Sequence, residues 1–74
     1  MNILENAYSL IAKLENGARE AIYLGDYEKA DRLQERADKI GESYEAIMYG
    51  QATAQAWAII KAAAQEREFL RYNR

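Results

Sequence analysis

The chain has 74 residues, enough for one small domain with no material left for a second core. It contains no Cys, His, Pro or Val, which excludes disulfides, thiolate metal sites, Cys nucleophiles and the commonest general base. Ten basic residues stand against twelve acidic ones, and this near balance writes neither a nucleic-acid footprint nor an acidic tail into the totals.

The N-terminus, Met1-Asn2-Ile3-Leu4-Glu5, has no basic region, and an acid interrupts its first apolar stretch, so no secretory signal is expected. The most apolar window, Ala52 to Ala64, is broken by Gln55 and Lys61 and falls short of the roughly 20 residues of a membrane span. A soluble, cytoplasmic protein with no membrane contact is expected. Abundant Ala and a single Thr point to an all-α chain.

The first helix is predicted from about Ile3 to Leu24. Leu4, Ala7, Ile11, Leu14, Ala18 and Ala21 recur at alternating spacings of three and four, and Tyr8, Leu10, Ile22 and Leu24 widen that stripe. Glu5, Asn6, Ser9, Lys13, Asn16, Arg19 and Glu20 fall on the opposite, polar face. Gly17 weakens the helix but lets another backbone approach. Gly25-Asp26 then ends one helix and caps the next.

The second helix is expected to bury Tyr27, Ala30, Leu33, Ala37 and Ile40. Glu28 with Arg32, and Glu35 with Lys39, are i,i+4 pairs in the favourable orientation on its outer face. Gly41 admits two readings. As a stop, it precedes Glu42, Ser43 and Glu45, which suit a new helix start. As an internal residue, it leaves Tyr44 and Ile47 in phase with Leu33, Ala37 and Ile40. The unbroken phase favours continuation to about Tyr49, with Gly50 as the joint.

The third helix is predicted from about Gln51 to Tyr72, with Ala52, Ala56, Ile59, Ile60, Ala63 and Leu70 as its main stripe. Ten of the thirteen residues from Ala52 to Ala64 are apolar, and they lie on more than one face. Two partner helices cannot cover them all. The expected architecture is one domain over residues 1–74, with helices about 3–24, 26–49 and 51–72. It is either an antiparallel three-helix bundle or a helical hairpin plus a third, Ala-rich helix.

Gly25-Asp26-Tyr27-Glu28-Lys29-Ala30, with Ala18 upstream and Ala37 downstream, resembles the turn of a tetratricopeptide-type helical hairpin. The resemblance spans Leu14 to Ala37. It departs from the family pattern at Gly17, where Leu is expected, and at Ala21, where Tyr is expected. No Pro closes the unit and no second copy follows at the family spacing of about 34 residues. The turn is also similar to that of microtubule-interacting-and-transport three-helix domains. Gly-Asp is sound turn chemistry in any helical hairpin, so convergence is the favoured account of it. The resemblance implies peptide or helix binding rather than catalysis.

Chemistry-bearing constellations are sparse. The row Glu28, Asp31, Glu35, Asp38, Glu42, Glu45 could hold a cation or mimic phosphates. Lys29, Arg32, Arg36 and Lys39 neutralise it, and the Glu-x-x-His pair usual in bundle metal sites cannot be supplied. A solvated face is expected, with no metal and no cofactor. Ser9 with Lys13 is the one nucleophile–base spacing, and it sits on a polar face without a pocket in view. The chain reads as a non-enzyme.

Six tyrosines are many for this length. Tyr8, Tyr27 and Tyr44 are expected in the core or at its rim, Tyr23 and Tyr49 outside it. The expected protein-binding surface is Tyr49, Ala54, Trp57, Ala58 and Lys61, with Trp57 as its anchor. A homodimer through the third helix, or docking of an unidentified larger protein that the chain adapts or inhibits, would cover it. The alternative is a small nucleic-acid-associated regulator that grips single strands through Lys61, Arg67, Arg71, Tyr72 and Arg74. Four positive charges give that reading little affinity at physiological salt, and helix C-termini favour such residues anyway.

Overall fold

The computed structural model describes residues 2–72, with Tyr72 described through its backbone alone. Three helices, α1 (Ile3–Tyr23), α2 (Tyr27–Met48) and α3 (Ala54–Tyr72), all pack on one another. The fold is all-α, as the composition dictates.

Each helix begins on a side chain that accepts a hydrogen bond from an otherwise orphaned backbone N–H. Asn2 Oδ1 accepts from the Glu5 N–H at 2.8 Å, and Asp26 Oδ1 from that of Lys29 at 3.2 Å. Thr53 Oγ1 accepts from the Ala56 N–H at 3.0 Å. The two joints are built alike. Gly25 (φ +81°) and Gly50 (φ +84°) take the left-handed conformation that terminates a helix. The following N–H folds back five residues in each case, Asp26 to the Ala21 carbonyl at 2.8 Å and Gln51 to the Ala46 carbonyl at 2.7 Å.

Of the two readings of Gly41, the internal one holds, because α2 runs through it without interruption. Ser43, the cap under the other reading, is buried within α2. The third helix begins three residues later than expected. Gln51 is spent on closing α2 and Thr53 supplies the cap, so Ala52 lies exposed in the joint rather than on the α3 stripe.

α1 and α2 form an antiparallel hairpin with the most extensive contact of the three pairs. Tyr8 stacks beside Tyr44 with ring centroids 5.6 Å apart, and Gly17 faces the Leu33 side chain. A Cβ on Gly17 would meet Leu33 Cδ1 at 3.2 Å, a tight contact that the leucine would have to relieve by shifting a few tenths of an ångström. Ala18, Ala21, Ala30 and Ala37 are buried along the same hairpin.

α3 does not continue the up-and-down pattern. Along α1 it runs antiparallel, with Arg71 near Asn6 and Arg67 near Ser9. Along α2 it also runs antiparallel, with Glu66 bonded to Arg36 and Ala56 lining one concavity with Ser43. One straight helix cannot be aligned against two neighbours that oppose each other, so α3 crosses the hairpin obliquely. The extents of 38 × 26 × 14 Å agree. Two layers of helix account for 14 Å, and the 26 Å width needs α3, about 28 Å long, laid across the pair.

The crossing decides what is core. Leu10 and Ile60 are fully buried at its centre, with Ala7, Leu14, Ala37, Ile40 and Ala63 around them. Leu10, expected on a flank of the α1 stripe, is therefore central. Asn6 and Ser9, assigned to the polar face, lie under α3 instead, Asn6 buried and Ser9 half-buried. Four residues expected on or beside buried stripes are more than half exposed: Tyr8, Ile22, Leu24 and Tyr27. α3 covers the N-terminal half of α1 and the C-terminal half of α2, and the turn end of the hairpin projects beyond it.

The candidate interaction surfaces

Three surfaces bear on partner binding, and each follows from the crossing. The first is the outer face of α3. Ala54, Ala58 and Lys61 share it at spacings of four and three, and all are exposed. Tyr49, at the α2 C-terminus, is 82% exposed. Trp57 departs from the expectation. It is half-buried and packs against the core cluster, so the chain already covers much of its proposed anchor. Among the ten apolar residues of the window, those left exposed are Ala52, Ala54, Ala58 and Ala62. Alanine offers little area, so this face drives association less than the sequence suggests.

The second is the C-terminal basic surface. Arg67 Nε donates to Ser9 Oγ at 2.8 Å, and Arg71 Nη2 reaches Asn6 Oδ1 at 3.5 Å. Both arginines are thus turned onto α1, and Lys61 stands exposed elsewhere on α3. The Tyr72 side chain and Arg74 lie outside the described residues. Ser9, whose spacing to Lys13 suggested a nucleophile–base pair, instead accepts the Arg67 hydrogen bond.

The third surface is the hairpin tip, of which the sequence reading singled out Tyr23 alone as an outer aromatic. Ile22, Tyr23, Leu24 and Tyr27 lie within six residues of one another around the turn, and all are more than half exposed, Tyr23 at 89% and Leu24 at 72%. They belong to the end of the hairpin that α3 does not reach. Periodicity alone assigned Ile22, Leu24 and Tyr27 to buried stripes, because it cannot tell where along a helix the covering neighbour stops. The useful signal was the turn itself, where four large apolar residues crowd a joint that polar residues normally occupy.

Charge follows solvation rather than the expected pairing. The expected pairs Glu28–Arg32 and Glu35–Lys39 do not close, and the ion pair among the described residues joins Arg36 to Glu66 across the α2–α3 contact at 2.7 Å. Arg19 instead bonds the neutral side chain of Asn16 within α1. No group of three or more acidic side chains is arranged to hold a metal ion among the described residues, and no helix there is long and apolar enough to cross a membrane. Compared with family models, curated proteins and solved structures, the chain matches none.

Proposed function

We propose that this chain works by protein–protein contact, as a small adaptor or inhibitor of a larger protein, and that it also self-associates. The observation that carries the reading is the hairpin tip. A small monomer gains nothing by keeping Ile22, Tyr23, Leu24 and Tyr27 in water, and contiguous exposed aromatic and aliphatic side chains are what protein interfaces bury at their centres. The tip is the protein-binding surface; Tyr49 and the outer face of α3 lie toward the other end of the hairpin and form a separate exposed patch. The resemblance of the Gly25–Ala30 turn to helical hairpins that bind peptides leans the same way.

Sedimentation equilibrium tests self-association. Wild type is expected to dimerise at roughly tens of micromolar. A Tyr23→Ser/Leu24→Ser variant should remain monomeric there, with its helical circular dichroism unchanged. Trp57→Ala should lose stability more than it loses dimer, because Trp57 packs on its own core. A wild-type monomer at that concentration would remove the self-association claim and leave the tip for a different protein.

A further inference from the structure

The hairpin has a second face, opposite α3, and no other helix among the described residues covers it. Helical spacing separates the two faces. Asn6 and Ser9 on α1, with Arg36, Ile40 and Ser43 on α2, turn toward α3. Tyr8, Ile11 and Glu15, with Asp38, Gly41 and Glu45, turn the other way and line a groove of about 450 Å³ between the two helices. Its floor is apolar, made by Ile11 and Ala37. Gly41 lines the groove, and an added Cβ there would meet nothing within 4 Å, so α2 leaves open space at this point.

The rim carries one sign of charge. Glu15 stands on the α1 side, and Asp38, Glu42 and Glu45 on the α2 side, with no Lys or Arg among the lining residues. Asp38 accepts a hydrogen bond from Gln34, a neutral donor that leaves its charge in place. Of the positive charges of α2, Lys29 and Arg32 lie toward the turn, and Arg36 is paired with Glu66. Lys39 stands next to Asp38 and Glu42 on their outer side, offsetting part of the rim charge without entering the groove. The tilted Tyr8–Tyr44 pair lines the same groove and offers aromatic faces beside the carboxylates.

We infer that this groove docks a basic amphipathic helix of a protein partner. Resting on the protein-contact reading above, the inference adds a second, chemically distinct surface and states what fills it. A channel between two antiparallel helices accepts the ridge of a third, and the vacant space over Gly41 accepts a Leu-sized knob. Lys or Arg flanking that knob would meet Glu15 on one side and Asp38, Glu42 and Glu45 on the other, with the tyrosine faces adding cation–π contact. A second copy of this chain is the wrong occupant. Pairing the face with itself would set acid against acid.

The test uses full-length protein and a synthetic Leu/Lys amphipathic helix of about five turns, with a Leu/Glu helix of the same apolar pattern as control. Amide chemical shifts are followed in titrations with each peptide. The Leu/Lys helix is expected to bind with shifts centred on Tyr8, Ile11, Gly41 and Tyr44, and to weaken as salt rises. The Leu/Glu helix should not bind. Glu42→Lys/Glu45→Lys should weaken Leu/Lys binding by about tenfold or more. Gly41→Leu, which fills the floor without touching the rim charges, should abolish it while thermal melting shows the fold intact.

Absence of binding, equal binding by Gly41→Leu, or shifts centred on Tyr23, Leu24 and Tyr27 would each overturn the groove assignment. Concentration-dependent shifts in the groove without peptide would assign it to a second copy and overturn it as well. The Tyr23→Ser/Leu24→Ser variant separates this result from the reading it rests on. It should bind the Leu/Lys helix like wild type even where self-association has been lost.

Discussion

The two ends of the α1–α2 hairpin have similar apolar spacing and opposite fates. At the crossed end, Ala7, Leu10, Ile40, Ile60 and Ala63 are all buried and three helices contribute. At the turn end, Ala18, Ala21 and Ala30 are buried between two helices, while Ile22, Leu24 and Tyr27 face water. Both ends carry apolar residues at helical spacing. The difference lies in the third helix, which is too short and too steeply placed to serve both. Burial in this protein is set by where a neighbour crosses, and the amphipathic stripe states only which residues are eligible.

The sharpest way to break that comparison is to cut a side chain at the crossing. Ile60→Ala removes a fully buried residue from the centre of the core and should cost about 2–5 kcal/mol. In a domain of this size that is a large part of the total stability, so urea denaturation should show a strongly lowered midpoint or no folded baseline. A loss below about 1 kcal/mol would mean that α3 is not anchored where described.

A smaller effect is expected at the joint of the projecting end. Gly25→Val places a β-branched residue at φ +81°, which should cost roughly 1–2 kcal/mol through backbone strain alone, since a Cβ there meets no neighbour within 4 Å. An unchanged melting temperature would count against the left-handed turn.

The smallest effect is expected at the tip. Leu24→Ala should change stability by less than about 0.5 kcal/mol, because Leu24 is 72% exposed and has little packing to lose. Paired with Ile60→Ala in the same denaturation series, it measures how unequal the two ends are. Equal costs would erase the distinction.

The sequence made the helices legible, and it did so for local reasons. Gly25-Asp26 announces a stop and a cap side by side, and Gly50 sits where the apolar phase slips. Both joints are found there, within three residues of their expected limits. The start of α3 was less legible, since Thr53 had to be recognised as a cap and Gln51 as part of the preceding closure. Tertiary placement was legible only in part. Asn6 and Ser9 look like solvent residues on any helical wheel, and what draws them inward is a pair of arginines more than fifty residues away. Of the candidate site, Tyr49, Ala54, Ala58 and Lys61 lie exposed as expected, whereas Trp57 is claimed by the core. An oblique crossing leaves no periodic trace in one sequence, so Tyr23 and the acidic row could be named in advance, but the tip and the groove they belong to took shape only once α3 was placed.

The crossing also bears on how the chain assembles in time. Leu24, Gly25 and Asp26 are all that separate α1 from α2, so the hairpin forms through contacts that are near in sequence, the kind that close on microsecond to millisecond timescales. Its projecting half pairs without contact from α3, yet Leu10 and Ile40 at the other end stay wet until Ile60 arrives over them. Docking of α3 is then the event that separates a transient hairpin from a folded domain. Any segment able to occupy its place over Leu10 competes with it for the same seat during synthesis.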